Sequence, residues 1–210
     1  MPVRLNSSGG GSVTLDVPAT AGTFTLNLPA TDGSVVAANN SGLVNFSQRP
    51  TVNGAPIGIN LATAQASTSG TFIDFTGIPA GVRRITVMFN GVSTNGSSNL
   101  LVQLGTSGGV TTTGYQSAIH QFSNSNASST AGFILTSSIS TAAQNWGSMI
   151  ISNVSSNTWV EQCGIAVFGT SGTSGGGGVT LAAVLDRVRI TTVNGTDIFD
   201  AGSINVAWEF

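Results

Sequence analysis

The 210-residue chain contains no lysine, and charged residues make up only 7% of it, against about 25% in an ordinary globular domain. Its six basic residues are all arginines, and the formal net charge is −2. Binding to nucleic acid requires a cluster of basic side chains, which this composition does not supply. The surface must be wetted by Ser, Thr, Asn, Gln and Gly, and so uncharged a surface suits a protein that packs into an assembly.

Other features that the sequence lacks narrow the possible class of protein further. The single cysteine, Cys163, excludes an internal disulfide framework and a thiolate zinc site within one chain. No apolar run reaches the roughly 18 residues of a membrane-spanning helix, and the first residues carry no apolar secretory core. We therefore expect synthesis in a reducing cytoplasm. No proline follows Pro79, which leaves most of the chain open to central β-strands.

Apolar and polar residues alternate through much of the chain, which is the period-two pattern of half-buried strands. The clearest case is residues 83–105, where two apolar stripes flank a loop containing Asn90-Gly91 and Asn95-Gly96. Such dipeptides tolerate positive φ, so we predict a hairpin here. Further strands are predicted at 72–75, 132–137, 147–152, 158–168, 179–184, 187–192 and 204–210. Their spacing predicts an all-β fold with an antiparallel, jelly-roll-like β-sandwich, and the Gly- and Ser-rich segments 123–129 and 169–178 are expected to be mobile loops.

A short repeat occupies residues 12–31, and each of its two copies ends in Pro-Ala-Thr. A piece this small lies below the roughly 40 residues that fold without staples. Its apolar stripe must be buried, either against the following domain or against sister copies, and the second option predicts a homotrimer or another cyclic oligomer. We divide the chain into an attachment or trimerisation module (1–40), a linker with short strands (41–65) and a β-sandwich knob (66–210). The predicted oligomer contacts are Val13, Leu15, Val17, Phe24, Leu26 and Leu28.

Few residues in the sequence are candidates for catalysis or metal binding. His120 is the single histidine, and no nucleophile elbow accompanies it. Asp197 and Asp200 stand three apart in a turn that also holds Asn194. They could bind calcium or act as a glycosidase pair, but Asn and Asp in turns usually cap their own backbone. We expect no catalytic residue, no cofactor and no metal.

Aromatic residues near loops are the candidates for ligand contact. Tyr115, Trp146 and Trp159, together with His120, could contact a neutral sugar, since stacking on an exposed ring suits an uncharged surface. Placement in the core is the alternative that we favour for these aromatic rings, because aromatic residues dominate sandwich cores.

Two blocks of sequence resemble known proteins. The first is residues 4–15 with their Pro-Ala-Thr echoes. The second is Asp-Phe-Thr-Gly-Ile-Pro-Ala-Gly-Val (74–82) through Ile-Thr-Val-Met-Phe-Asn-Gly-Val-Ser (85–93), which reappears in altered form at 185–197 and 199–205. Both resemble segments of tail-fibre and tail-tip structural proteins of tailed bacteriophages.

The resemblance implies a virion protein, made in the host cytoplasm, with an N-terminal attachment element and an outward knob. It brings no catalytic residues. The partners it implies are sister copies, other tail or capsid proteins and host surface polysaccharide, with no nucleic acid and no membrane insertion. Two alternatives remain: a capsid head fibre or decoration protein that stabilises the shell, and a glycan-degrading tailspike hydrolase that uses Asp197 and Asp200.

Overall fold

The computed structural model describes residues 3–6, 9–10, 12–15, 50–52, 55–123, 125–169 and 171–210. Every regular element in these ranges is a β-strand. The chain divides into two compact units, Met1–Ser47 and Gln48–Phe210. In the first, β1 (Val3–Asn6) and β2 (Ser12–Leu15) form an antiparallel hairpin. The backbone of β2 includes Val13 and Leu15, whereas Val17, Phe24, Leu26 and Leu28 lie outside the described residues.

The second unit forms two large antiparallel sheets that enclose the main core, and its first two described strands pair as a separate two-stranded sheet. Its described strands are β3 (Thr51–Val52), β4 (Ala55–Pro56), β5 (Asn60–Leu61), β6 (Gln65–Ala66), β7 (Ile73–Thr76), β8 (Arg84–Thr94), β9 (Leu100–Thr106), β10 (Gly109–Val110), β11 (Gln116–Gln121), β12 (Ser125–Ser129), β13 (Phe133–Ile134), β14 (Asn145–Ser155), β15 (Thr158–Val167), β16 (Ser171–Thr180), β17 (Leu185–Thr192) and β18 (Phe199–Glu209). The nine-stranded sheet has the order β12-β11-β16-β15-β14-β8-β18-β5, with β6 also on β18. The five-stranded sheet has the order β10-β9-β17-β7, with β13 on β9. The predicted all-β, antiparallel sandwich is confirmed.

The core lies between the two sheets because each contributes the inward half of its alternating side chains. Val87 and Ile151 come from the nine-stranded sheet, and Val102 and Val188 come from the five-stranded one; all four are 0% exposed. A buried side chain of this size contributes about 1.5–3 kcal/mol. The core cluster therefore accounts for the packing of the sheets against each other.

The predicted hairpin at residues 83–105 is wrong. β8 and β9 lie in different sheets, so the segment between them crosses from one sheet to the other. β8 already pairs with β14 and β18, and β9 pairs with β17 on one side and with β10 and β13 on the other. Asn90-Gly91 is not a turn but an interior part of β8, where Gly91 takes a φ of +64°.

The glycine-rich segment predicted as a mobile loop is mostly a central strand, β16, between β11 and β15. Glycine is required there by close approach of the neighbouring strand. A Cβ at Gly177 would come within 2.6 Å of the Gln116 carbonyl oxygen, and one at Gly175 would overlap the side chain of Ile119. Because the neighbouring strands fill the space, β16 carries almost no side-chain periodicity of its own. The other predicted loop contains β12, at the sheet edge.

Candidate functional site

The surface of the nine-stranded sheet that points away from the core, called the outer face below, is nearly free of charge along its middle. One row of paired residues runs across five strands, from Asn126 to His120, Ser174, Gly164 and Ser148. His120 Nδ1 lies 2.8 Å from Asn126 Oδ1, so Nδ1 donates this bond, since an amide oxygen only accepts. The row presents small hydroxyl and amide groups on the outer face.

Two shallow depressions lie on the outer face. The first, of about 510 Å³, is lined by His120, Asn126 and Ser128 among others, and the second, of about 360 Å³, by Ser148 and Gln162 among others. Ser174 contributes to both, so they adjoin. Hydroxyl and amide groups both donate and accept hydrogen bonds, as the hydroxyls of a sugar do. The arrangement suits an uncharged, hydroxyl-rich ligand.

Trp146, one of the predicted contacts, is 43% exposed. It lies opposite an irregularity in the pairing of β14 with β8, where the register shifts between Asn145 and Gly147 because β8 holds one residue more, between Phe89 and Val92. Its ring lies across Gly91 of the neighbouring strand, where a Cβ would come within 2.9 Å of the indole Cζ2. Trp146 pairs with Ala166 on the outer face and follows the buried Asn145, so alternation points its side chain outward. Gly91, which has no side chain, leaves room for the indole ring.

Phe122 is a second exposed ring, and sequence reasoning missed it. It is 67% exposed and lies over Gly172, where a Cβ would be 3.1 Å from its ring. Its centroid is 6.2 Å from that of His120. Trp146 pairs with Ala166, which pairs with Gly172, which accepts a hydrogen bond from the Phe122 backbone. Three strand spacings place the two aromatic residues about 14 Å apart along the sheet. The alternation of side chains could have identified Phe122 from the sequence. Ile119 and Gln121 point inward, so His120 and Phe122 point outward.

Tyr115 and Trp159 do not offer exposed rings. Tyr115 is 1% exposed, accepts a hydrogen bond from the Leu104 backbone nitrogen at 2.7 Å and packs edge-on against Phe133 at 4.9 Å. Burial raises the pKa of its hydroxyl. Trp159 is 4% exposed, on the inward face of β15. The suggestion of exposed stacking is therefore wrong for these two, and the core alternative holds because their strands turn them inward.

Glu161 is a carboxyl group buried in the core beside them. It is 6% exposed. Ser117 Oγ donates to its Oε1 at 3.4 Å, while Oε2 has no hydrogen-bond partner among the described residues. Burial raises the pKa of Glu161 to about 7, against a smaller opposing effect of the Ser117 hydrogen bond. Burial, followed by the nearby charge of Glu161, raises the pKa of the Cys163 thiol to about 12, so this cysteine behaves as a small core residue.

The two aspartates considered for calcium or hydrolysis have separate structural partners. Asp197 accepts hydrogen bonds from Asn194 Nδ2 at 2.6 Å and from the Ser98 backbone nitrogen at 2.9 Å. Asp200 accepts one from Ser93 Oγ. Asp197 thus ties the turn before β18 to the turn before β9. Within the described ranges, no cluster of three or more His, Cys, Asp or Glu residues has the proximity to hold a metal ion.

Comparison of the chain with protein-family models, with curated proteins and with solved structures found no match. In the parts of the chain that the structure describes, no helix is long and apolar enough to span a membrane.

Proposed function

We propose that this chain is a non-enzymatic structural protein of a tailed-phage virion, of the tail-fibre or spike-like kind. It assembles as a homotrimer and presents its β-sandwich to the host surface. The observation that supports this best is the outer face, whose middle presents uncharged polar groups and which carries the exposed rings of Trp146 and Phe122. Together with the sequence resemblance, this surface favours contact with neutral surface polysaccharide.

The physical basis is a match between the outer face and a sugar. Aromatic rings stack on the apolar face of a sugar ring, and the side chains of His120, Gln162 and Ser174 can hydrogen-bond its hydroxyls. Because Trp146 is already seated on Gly91, binding orders little that was free, and pre-organisation of this kind favours affinity.

The N-terminal unit supports the oligomeric part of the proposal. β1 and β2 form a two-stranded hairpin, and an isolated two-stranded hairpin is at best marginally stable in water. We propose that sister chains pack against this hairpin. The low charge of the whole chain, 7% of residues, opposes such association little.

The two alternatives differ in support. A head decoration protein would use the same assembly without binding host glycan, and the test below distinguishes it. A tailspike hydrolase would need Asp197 and Asp200 as a reactive pair. We do not favour it, because Asp197 accepts two hydrogen bonds within its own fold and Asp200 accepts one from Ser93.

Labelling of intact virions of the encoding phage with a monovalent antibody fragment tests the proposal. Electron microscopy should find the label at the tail. Label distributed over the capsid would support the decoration protein instead, and particles without label that nevertheless infect would contradict a virion role altogether.

A further inference from the structure

A cleft of about 420 Å³ opens where three connecting segments of the sandwich meet. We call it the end cleft. Its walls are residues 79–83 before β8, the β14–β15 turn at Ser156 and Asn157, and the approach to β17 at Val184 and Leu185. Trp159 contributes to its lining. The volume falls within the roughly 300–1,000 Å³ of small-molecule sites, and the cleft shares no residue with the depressions on the outer face.

Arg83 gives the end cleft a positive charge. Each of Arg84, Arg187 and Arg189 has a carboxylate partner, in Glu209, Asp186 and Asp74 respectively. No carboxylate in the described ranges pairs in this way with Arg83. A guanidinium at the mouth of a cleft, without a counter-charge from these residues, attracts an anion.

The guanidinium of Arg83 is held in place. Its Nη1 donates to Asn153 Oδ1 at 2.7 Å. Asn153 in turn donates through Nδ2 to the carbonyl oxygens of Ser156 at 3.0 Å and Thr158 at 3.2 Å. Asn153 is thereby fixed to the β14–β15 turn, and it orients the arginine so that little side-chain freedom remains to be lost on binding.

The lining also contains the side chain of Trp159 and several apolar residues. The Trp159 indole nitrogen is buried and has no hydrogen-bond acceptor among the described residues, whereas buried polar groups in native proteins are nearly always paired. Pro79, Val184 and Leu185 supply apolar surface on the opposite walls, and Asn157 adds an amide. The cleft thus combines one cation, polar groups and an apolar wall.

We propose that the end cleft binds a saccharide that carries one carboxylate, of the uronic-acid class. The carboxylate pairs with Arg83, the ring rests on the apolar wall, and the hydroxyls reach the turn at Ser156 and Asn157. One guanidinium balances a single negative charge, whereas a phosphate carries up to two and would call for further cations. The proposal concerns binding by the isolated chain and does not depend on a role in a virion.

Titration of the full chain with glucuronate, followed by ¹H–¹⁵N NMR, tests this. The chain has three tryptophans, and the indole signal that disappears in Trp159→Phe identifies Trp159. Glucuronate should shift that signal saturably. Glucose, which has the same ring without the carboxylate, and acetate, which has the carboxylate without the ring, should each bind at least about tenfold more weakly.

Arg83→Gln and Arg84→Gln form a matched pair, since they remove the same charge from adjacent positions. Arg83→Gln should weaken glucuronate binding by about tenfold or more, and Arg84→Gln, which breaks an exposed ion pair, by less than about twofold. Asn157→Asp, which places a negative charge in the cleft, should weaken binding like Arg83→Gln; thermal melts establish that each variant is folded. No saturable shift of Trp159, equal binding of glucose or acetate, or equal effects of Arg83→Gln and Arg84→Gln would each overturn the proposal.

Discussion

Trp146 and Gly91 are packed so closely across β14 and β8 that a Cβ at Gly91 would lie 2.9 Å from the indole Cζ2. Gly91 also has a φ of +64°, a conformation that residues with a Cβ adopt at a cost. Because Gly91 in β8 has no side chain, the exposed indole ring of Trp146 in β14 can pack directly against it on the outer face.

Gly91→Ala should therefore destabilise the protein by about 1–3 kcal/mol, because of the backbone strain, and displace the Trp146 ring. Urea unfolding measures the first effect, and the emission spectrum of the displaced indole the second. Gly164→Ala is the control. It lies in β15 on the outer face, its added Cβ meets nothing within 4 Å and its φ is not positive, so it should leave both readouts nearly unchanged. A Gly91→Ala variant as stable as Gly164→Ala would contradict this packing.

Trp146→Ala should reduce adsorption of the protein to host cells by about tenfold while leaving the folded state intact, because a stacking surface worth about 0.5–1.5 kcal/mol per contact is lost from each sister copy. Phe122→Ala should act in the same direction. Both rings are exposed, so thermal melts should move little. Flow cytometry with fluorescently labelled protein measures adsorption, and unaltered adsorption of the double variant would exclude the outer face as the contact surface.

Glu161 should make stability depend on pH. Its pKa is raised from an ordinary 4.5 to about 7 in the folded state, so the folded chain binds this proton more tightly than the unfolded chain. The contribution is fully present below about pH 4.5 and is lost as the pH rises towards about 7. It amounts to about 3 kcal/mol at most, at about 1.4 kcal/mol per pKa unit.

The measurement is urea unfolding between pH 4.5 and 7.5. The difference in stability between the wild type and Glu161→Gln should change by this amount across the range, in favour of the wild type at low pH. Glu209→Gln removes a carboxylate that is partly exposed and paired with Arg84, and it should leave that pH dependence in place. A difference that is flat with pH would show that Glu161 ionises as freely as an exposed carboxylate.

Gly175→Ala should destabilise the sandwich by about 1–3 kcal/mol, the typical cost of overpacking, since the added methyl group overlaps Ile119 and would lie 2.6 Å from the Ala118 carbonyl oxygen. Gly178→Ala, in the same strand, meets neighbours only at 3.5 Å and beyond and should be tolerated. Thermal unfolding compares the two. Equal stabilities would mean that β16 does not lie as close to β11 as the structure places it.

The sequence was sufficient for the fold class and for most strands with strong alternation, such as the inward Ile85 and Val87 of β8. The sequence did not predict strands whose side chains show no alternation of apolar and polar residues. β16 has four consecutive glycines, Gly175–Gly178 by sequence, and its place in the sheet depends on neighbours that are distant in the chain. The hairpin prediction failed because Asn90-Gly91 is a dipeptide typical of turns but lies within β8, which is paired with a strand on each edge.

For the candidate site, the sequence identified Trp146 and His120 but not Phe122, and it could not place Arg83 in a cleft. The carboxylate partners of Arg84 and Arg189, which are Glu209 and Asp74, lie far from them in the sequence. Arg83 and Arg84 are adjacent and look alike as a sequence, yet strand alternation sends one to Asn153 and the other to Glu209. Among the described residues, that difference gives Arg84 a carboxylate partner and Arg83 an amide partner.

The homotrimeric assembly that we propose is tested by the mass of the full chain in solution. Light scattering coupled to size-exclusion chromatography should give three times the 21.1 kDa of one chain, unchanged on dilution to the nanomolar range. A stable species of 21.1 kDa at all concentrations would contradict the account.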